Sequence, residues 1–149
     1  MKRDLVLHTD KILREPCQEV PFNNAEIAQD VYDSFNANYM VGLSAPQIGL
    51  PYRCSACLFT TGLEVIINPK IEVIGEDKTT STERCVSFPN VVCQIKRAAK
   101  VKLTYYNNKW ESCEKILEGF NAIVAQHECD HLDGIVMMDK AFKKTYKRR

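Results

Sequence analysis

Gly119-Phe120-Asn121-Ala122-Ile123-Val124-Ala125-Gln126-His127-Glu128-Cys129-Asp130-His131 is the stretch on which the reading of this chain turns. Nothing in it breaks a helix after Gly119, and Gly134 follows closely enough to end one. Phe120, Ile123, Val124 and His127 fall on one stripe at helical spacing, and His131 continues it. The last five residues read H-E-x-x-H. Positions i and i+4 share a helix face, so two imidazoles can grip one metal ion, and the glutamate between them sits beside the remaining coordination position as a candidate general base. The chain has three histidines, and two of them are in this motif.

Working outward, the segments before this helix have a different period. Cys54–Thr60, Leu63–Asn68, Ile71–Ile74, Val91–Ile95 and Val101–Tyr106 are short β-prone runs, broken by Gly62, Pro69 and Gly75. Asn107-Asn108 predicts a hairpin turn into a strand within Lys109–Leu117. Nearer the start, Asp10 to Leu13 offers a helical turn stopped by Pro16. Asn24 to Asn38 predicts an amphipathic helix with Ile27, Val31 and Phe35 on one face and Asn23 or Asn24 as its cap. Gly42 to Pro51 reads as a loop. Strands followed by a motif-bearing helix predict an α+β fold, with antiparallel or mixed sheets packed around that central helix.

With 149 residues, the chain reads as one domain, 1–149, large enough for a real core. Its 45% hydrophobic and 26% charged residues are those of an ordinary globular protein. No apolar run approaches the ~20 residues that span a bilayer, and the start lacks the h-region of a signal peptide. The expected setting is a cytoplasm (bacterial-type, phage-infected host, or organellar) with no membrane contact. Seven cysteines is an odd count at scattered spacings, which favours free thiols in a reducing compartment over a disulfide framework. Residues 140–149 hold 6 basic and no acidic residues, leaving 14 basic against 19 acidic in the first 139. That basic tail reads either as a solvated terminus or as a weak electrostatic contact with RNA such as a ribosome surface, without sequence-specific nucleic-acid binding.

A catalytic site of this type takes three protein ligands and leaves one position open. No Glu follows His131, and Met137 stands where an extended H-E-x-x-H-x-x-G-x-x-H motif would place a third His. The third ligand must therefore come from upstream, where cysteines outnumber the lone His8. Cys54 and Cys57 form a C-x-x-C, but in a strand that spacing points the side chains to opposite faces. Cys17, Cys93 and Cys113 read by default as buried free thiols. Cys85 stands apart, between strand-like segments in Glu83-Arg84-Cys85-Val86-Ser87-Phe88-Pro89. The residues alone leave open a metallopeptidase and a catalytically weak or silent metal-binding module.

Three segments, in order, resemble the motifs of the peptide deformylase family. Met40-Val41-Gly42-Leu43-Ser44-Ala45-Pro46-Gln47 is similar to G-φ-G-φ-A-A-P-Q. Glu83-Arg84-Cys85-Val86-Ser87 is similar to E-G-C-φ-S, and Gln126-His127-Glu128-Cys129-Asp130-His131 to Q-H-E-φ-D-H. Asp10 to Arg14 and Arg97 also resemble recurrent features of the family. The resemblance implies a divalent metal held by Cys85, His127 and His131. Fe2+ is the expected native ion, and Zn2+, Ni2+ or Co2+ are alternatives. It implies Glu128 as the proton carrier, with the Gln47 amide and the Val86 backbone N–H as oxyanion donors. It also implies a Glu83–Arg97 ion pair behind the cysteine, and a pocket for the methionine side chain from Val41, Gly42, Leu43, Ile123 and Val124. The substrates would be formylmethionyl peptides and nascent chains, and the enzyme a monomer. The sequence departs from the family at Met40, expected to add a side chain at the cleft rim, at Ser44, and at Arg84 in place of a glycine. Arg84 would be strained if that position needs a positive φ, and able to contact peptide if it does not.

Overall fold

The computed structural model describes residues 1–147; Arg148 and Arg149, part of the expected basic tail, lie outside the described residues. The chain forms α1 (Glu26–Ser34), β1 (Gly42–Ser44), β2 (Cys54–Phe59), β3 (Gly62–Val73), β4 (Lys78–Cys85), β5 (Phe88–Ala98), β6 (Lys100–Tyr106), β7 (Ser112–Glu118), α2 (Gly119–Leu132), α3 (Met137–Lys140) and β8 (Ala141–Tyr146). Among these strands all pairings are antiparallel, so the fold is α+β with antiparallel sheets. One sheet runs β1-β2-β3-β6-β7 and the other β4-β5-β8. β1 and β4 are therefore edge strands, each with one side unpaired.

The first helix is shorter than its periodicity suggests. The Asn24 side chain accepts from the backbone N–H groups of Glu26 (3.1 Å) and Ile27 (3.4 Å), which makes it the functional cap. At the other end Phe35 is already extended, at φ −69 and ψ 137. The expected strands 63–68 and 71–74 are one strand, β3, with a bulge between Ile67 and Lys70 that accommodates Asn68 at φ 50 and Pro69. The expected loop 42–51 holds β1 and a tight 3-10 turn, Ala45–Ile48.

Besides β1, two strands have no counterpart in the sequence reading. β4 is rich in Thr and charged residues, with no apolar alternation to mark it, yet Ser81, Glu83 and Cys85 alternate inward along it. β8 lies within the basic tail, which is solvated along its side chains but paired through its backbone: residues 141–146 pair with β5, and the Lys147 N–H continues the ladder to the Asn90 carbonyl at 2.7 Å. Its exposed, basic sequence gives no hydrophobic pattern to detect.

α2 touches strands of both sheets. One face carries Ala122, Val124, Ala125 and Cys129 into a core cluster with Phe59, Ile66, Leu103 and Leu117. Small side chains on that face let the helix lie close to the sheet, and each large apolar partner buried there contributes about 1.5–3 kcal/mol. The stripe of Phe120 and Ile123 faces a cleft instead. The helix ends as the sequence predicts: Gly134 has φ +75, and an added Cβ would lie 2.8 Å from the Glu15 backbone. No helix among the described residues is long and apolar enough to cross a membrane.

Candidate active site

Strand period and helix period meet behind the cleft. On β4, Glu83 and Cys85 are two residues apart and so share the inward face. On α2, His127 and His131 are one turn apart, with ring centroids at 5.1 Å. The Cys85 Sγ lies 3.5 Å from His131 Nε2, and one ligand atom from each of Cys85, His127 and His131 lies within 4.8 Å of the others. These residues can hold a metal ion. Bonds of about 2.3 Å to sulfur and about 2.0–2.1 Å to nitrogen, meeting at a tetrahedral angle, place S and N roughly 3.6 Å apart, which matches the Cys85–His131 separation. The C-x-x-C pair is not part of this group: Cys54 and Cys57 are fully buried in separate core clusters, as opposite faces of β2 require.

A second layer orients these donors. His127 Nδ1 is 2.7 Å from Glu83 Oε1, which leaves Nε2 for a ligand. Glu83 in turn receives Arg97 Nε at 2.8 Å and Nη2 at 2.7 Å, and Arg97 Nη1 reaches Asp130 at 2.5 Å. Burial alone would raise the Glu83 carboxyl, but hydrogen bonds from Arg97 and His127 outweigh it and hold the group at about 2. His127 is pushed down by burial and up, more strongly, by Cys85 and Glu83, so that it sits well above its ordinary value. His131 is well below it, through burial and through the positive charge of His127 and Arg97. The sequence reading found Glu83 and Arg97 but missed Asp130, the third member of this network. Its position three residues after His127 puts it on a neighbouring helix face and was the available signal.

Glu128 is 3% exposed, and its Oε1 has no hydrogen-bond partner. Burial lifts its carboxyl to about 7, against a smaller lowering by His127. Gly42 makes room for it: a Cβ there would sit 2.3 Å from Glu128 Oε2. Gln47, 1% exposed, is fixed at both ends of its amide. Its Oε1 accepts from Ser44 N–H (2.9 Å) and Ser44 Oγ (3.0 Å), and its Nε2 donates to Cys85 Sγ (3.3 Å) and Ser87 Oγ (3.1 Å). A backbone N–H can only donate, so the Ser44 contact dictates which amide atom is oxygen. Ser44 and Ser87 were not read from sequence as positioning groups; each lies in a quoted motif, three before Gln47 and two after Cys85.

The cleft, about 970 Å³, is lined by Met40, Val41, Gly42, Gln47, Arg84, Cys85, Val86, Ile123, Val124, His127 and Glu128, among others. Leu43 is a correction: it is fully buried, packs in the core with Ile27, Val31 and Ile48, and does not line the cleft, because it alternates with Gly42 along β1. Met40 lines the cleft yet is only 4% exposed and belongs to that same core, so it does not stand out at the rim. Arg84 is not among the residues with positive φ, so the arginine is accommodated without strain.

The family model described as polypeptide deformylase matches residues 2–147. A peptide deformylase of Aquifex aeolicus is 38% identical over all of this chain and 92% of its own length. One from Desulforudis audaxviator is 38% identical over 97% of this chain and 96% of its own. Among solved structures, the peptide deformylase of Thermotoga maritima superposes with a TM-score of 0.90 at 29% identity, covering 96% of this chain and 99% of that one. That of Synechococcus elongatus, in complex with actinonin, gives 0.87 at 28% identity over 95% of this chain and 79% of that one.

Proposed function

This chain belongs to the peptide deformylase family, and from that premise we propose how its own residues divide the work of the reaction. The enzyme removes the N-formyl group from formylmethionine at the start of nascent polypeptides and releases formate. In our reading the whole chain is one catalytic domain, with α2 as the central element that both sheets serve. Cys85, His127 and His131 would hold the divalent ion, with Fe2+ the native metal and Zn2+, Ni2+ or Co2+ as substitutes. When bound, such an ion supplies Lewis acidity, lowering the pKa of water and polarising the formyl oxygen.

The substrate enters between the free edges of β1 and β4, where unpaired backbone groups can bond an extended peptide. Val41, Gly42, Ile123 and Val124 wall the pocket for the methionine side chain. Glu128 takes a proton from the attacking water as its oxygen bonds to the formyl carbon, and delivers that proton to the peptide nitrogen as the C–N bond breaks. The oxyanion formed in between accepts hydrogen bonds from Gln47 Nε2 and the Val86 N–H. Ser44 holds the Gln47 oxygen, so Nε2 stays on the Cys85 side of the amide, and one of its two N–H groups turns from Cys85 Sγ or Ser87 Oγ to serve the oxyanion. Glu83 and Arg97 do not touch substrate; they hold His127 in the tautomer that offers Nε2.

The observation that carries this reading is the convergence of one thiol and two imidazoles beside a buried, unpartnered carboxylate in an open cleft. Formate release from formyl-Met-Ala-Ser by iron- or nickel-loaded protein tests it. We expect Cys85→Ala to lose most of the bound metal, measured by elemental analysis, while Cys54→Ala and Cys57→Ala keep it. Full retention in Cys85→Ala would reject the ligand set. We place the enzyme in the cytoplasm as a monomer, with weak ribosome contact through the basic residues at the chain end.

A further inference from the structure

The charges that line the cleft are unevenly distributed. Glu83 is committed to Arg97 and His127, and Glu128 is buried. Among the described residues the exposed charged side chains of the lining are Arg84 and Lys147, both positive, and no exposed carboxylate joins them. Among the described residues neither has a partner within ion-pair distance. They come from different elements. Arg84 stands on the outward face of β4 next to Cys85, and Lys147 follows β8, tied in place by its N–H bond to the Asn90 carbonyl. Around them the wall is neutral: Thr79, Thr80 and Thr82 on β4, and Pro89 and Asn90 where β5 begins.

We propose that Arg84 and Lys147 are specificity-determining residues that make this cleft prefer formylated peptides with acidic side chains in the positions following methionine. This deepens the deformylase reading and rests on it. A peptide whose formyl end lies at Glu128 runs outward along the unpaired edge of β4 past Arg84, in a cleft that also carries Lys147 on its far side, across β5. An acidic side chain gains an attraction there, a basic one meets repulsion, and the guanidinium of Arg84 can take a carboxylate in bidentate fashion. Because both groups are solvated, the effect belongs to substrate capture and weakens with salt.

The test compares two C-amidated peptides, formyl-Met-Ala-Glu-Glu and formyl-Met-Ala-Lys-Lys, on metal-loaded full-length protein at low ionic strength. Two exposed ion pairs of ordinary strength predict roughly a tenfold higher kcat/KM for the acidic peptide, carried by KM. The ratio should fall to about twofold or less in the Arg84→Ala, Lys147→Ala double variant. It should fall toward one in Arg84→Glu, whose carboxylate offsets Lys147, invert in the Arg84→Glu, Lys147→Glu double variant, and shrink in 0.5 M NaCl. A ratio near one in the unmodified protein, or a ratio unchanged in the double variant, overturns the proposal. Affinities for the deformylated peptides Met-Ala-Glu-Glu and Met-Ala-Lys-Lys, measured by calorimetry, read the same preference without catalysis. Protein that deformylates neither peptide would contradict the deformylase reading, while the product affinities would still decide the charge preference.

Discussion

Glu83 and Glu128 are both carboxylates buried against the same histidine, and the protein treats them oppositely. Glu83 is bonded by Arg97 and His127 and held at about 2. Glu128 has an oxygen with no partner and is lifted by burial to about 7. On the division of work proposed above, the difference teaches how one small site obtains both a rigid anion and a mobile proton carrier. A carboxylate saturated with donors stays ionised and serves as a fixture. One stripped of donors has comparable protonated and ionised forms near neutrality and can pass a proton either way.

Four experiments break or sharpen that contrast. The largest effect is expected from Glu128→Ala: formate release should fall by about 10²–10⁴ while bound metal is unchanged, because only the proton carrier is lost. Loss of metal along with activity would show that Glu128 is structural, like Glu83. Next is Gly42→Ala. Its methyl group would displace a carboxylate 2.3 Å away, and a shift of that size should lower kcat by about 100-fold without altering metal content. Wild-type kcat in this variant would mean that Glu128 works from another position. Glu83→Gln should weaken metal affinity by about 10–100-fold, read by competition with a chelator, with a smaller effect on kcat once the site is saturated.

The smallest effect is on stability against pH, and the two carboxylates should differ in sign. For Glu83 the folded value lies below the ordinary 4.5, so its contribution is present above pH 4.5 and is lost as pH falls toward 2. For Glu128 the folded value lies above 4.5, so burying it costs nothing below that pH and destabilises progressively as pH rises toward 7. Urea unfolding of metal-free protein checks this. The loss caused by Glu83→Gln should grow between pH 2 and 4.5, and the gain from Glu128→Gln between pH 4.5 and 7. Parallel curves for the two variants would dissolve the contrast.

How far the sequence makes this visible depends on where each signal resides. The spacing of His127, Glu128 and His131 is local, and the helix obeys it. The hairpin at Asn107 and the stop at Gly134 are equally local. Cys85 is different, because seven cysteines compete and only the ordered motifs around it single it out. Period two along β4 would also have pointed there, since it puts Glu83 and Cys85 on one face, but Thr79, Thr80 and Thr82 conceal the strand behind a polar composition. β8 is illegible for the same reason: its pairing is backbone to backbone, and its side chains are exposed. Leu43 was misplaced by carrying a family pocket across a whole segment, when alternate residues of a strand face opposite ways. Ser44 stands where the family motif has alanine, and only its bonds to Gln47 reveal its use.

Arg97 has a consequence that reaches beyond the site. Its guanidinium is 2% exposed, rises from β5, and bonds Glu83 on β4 and Asp130 on α2. Peeling the helix from the small sheet would keep the Arg97–Glu83 pair but part Arg97 from Asp130 and Glu83 from His127, and breaking such buried pairs costs several kcal/mol. Partial openings that separate these elements are therefore disfavoured relative to opening them together. Native-state hydrogen exchange should show the amides of β4, β5 and α2 converging on one common opening free energy, a single foldon in which the walls of the active centre come apart only with the helix that runs between them.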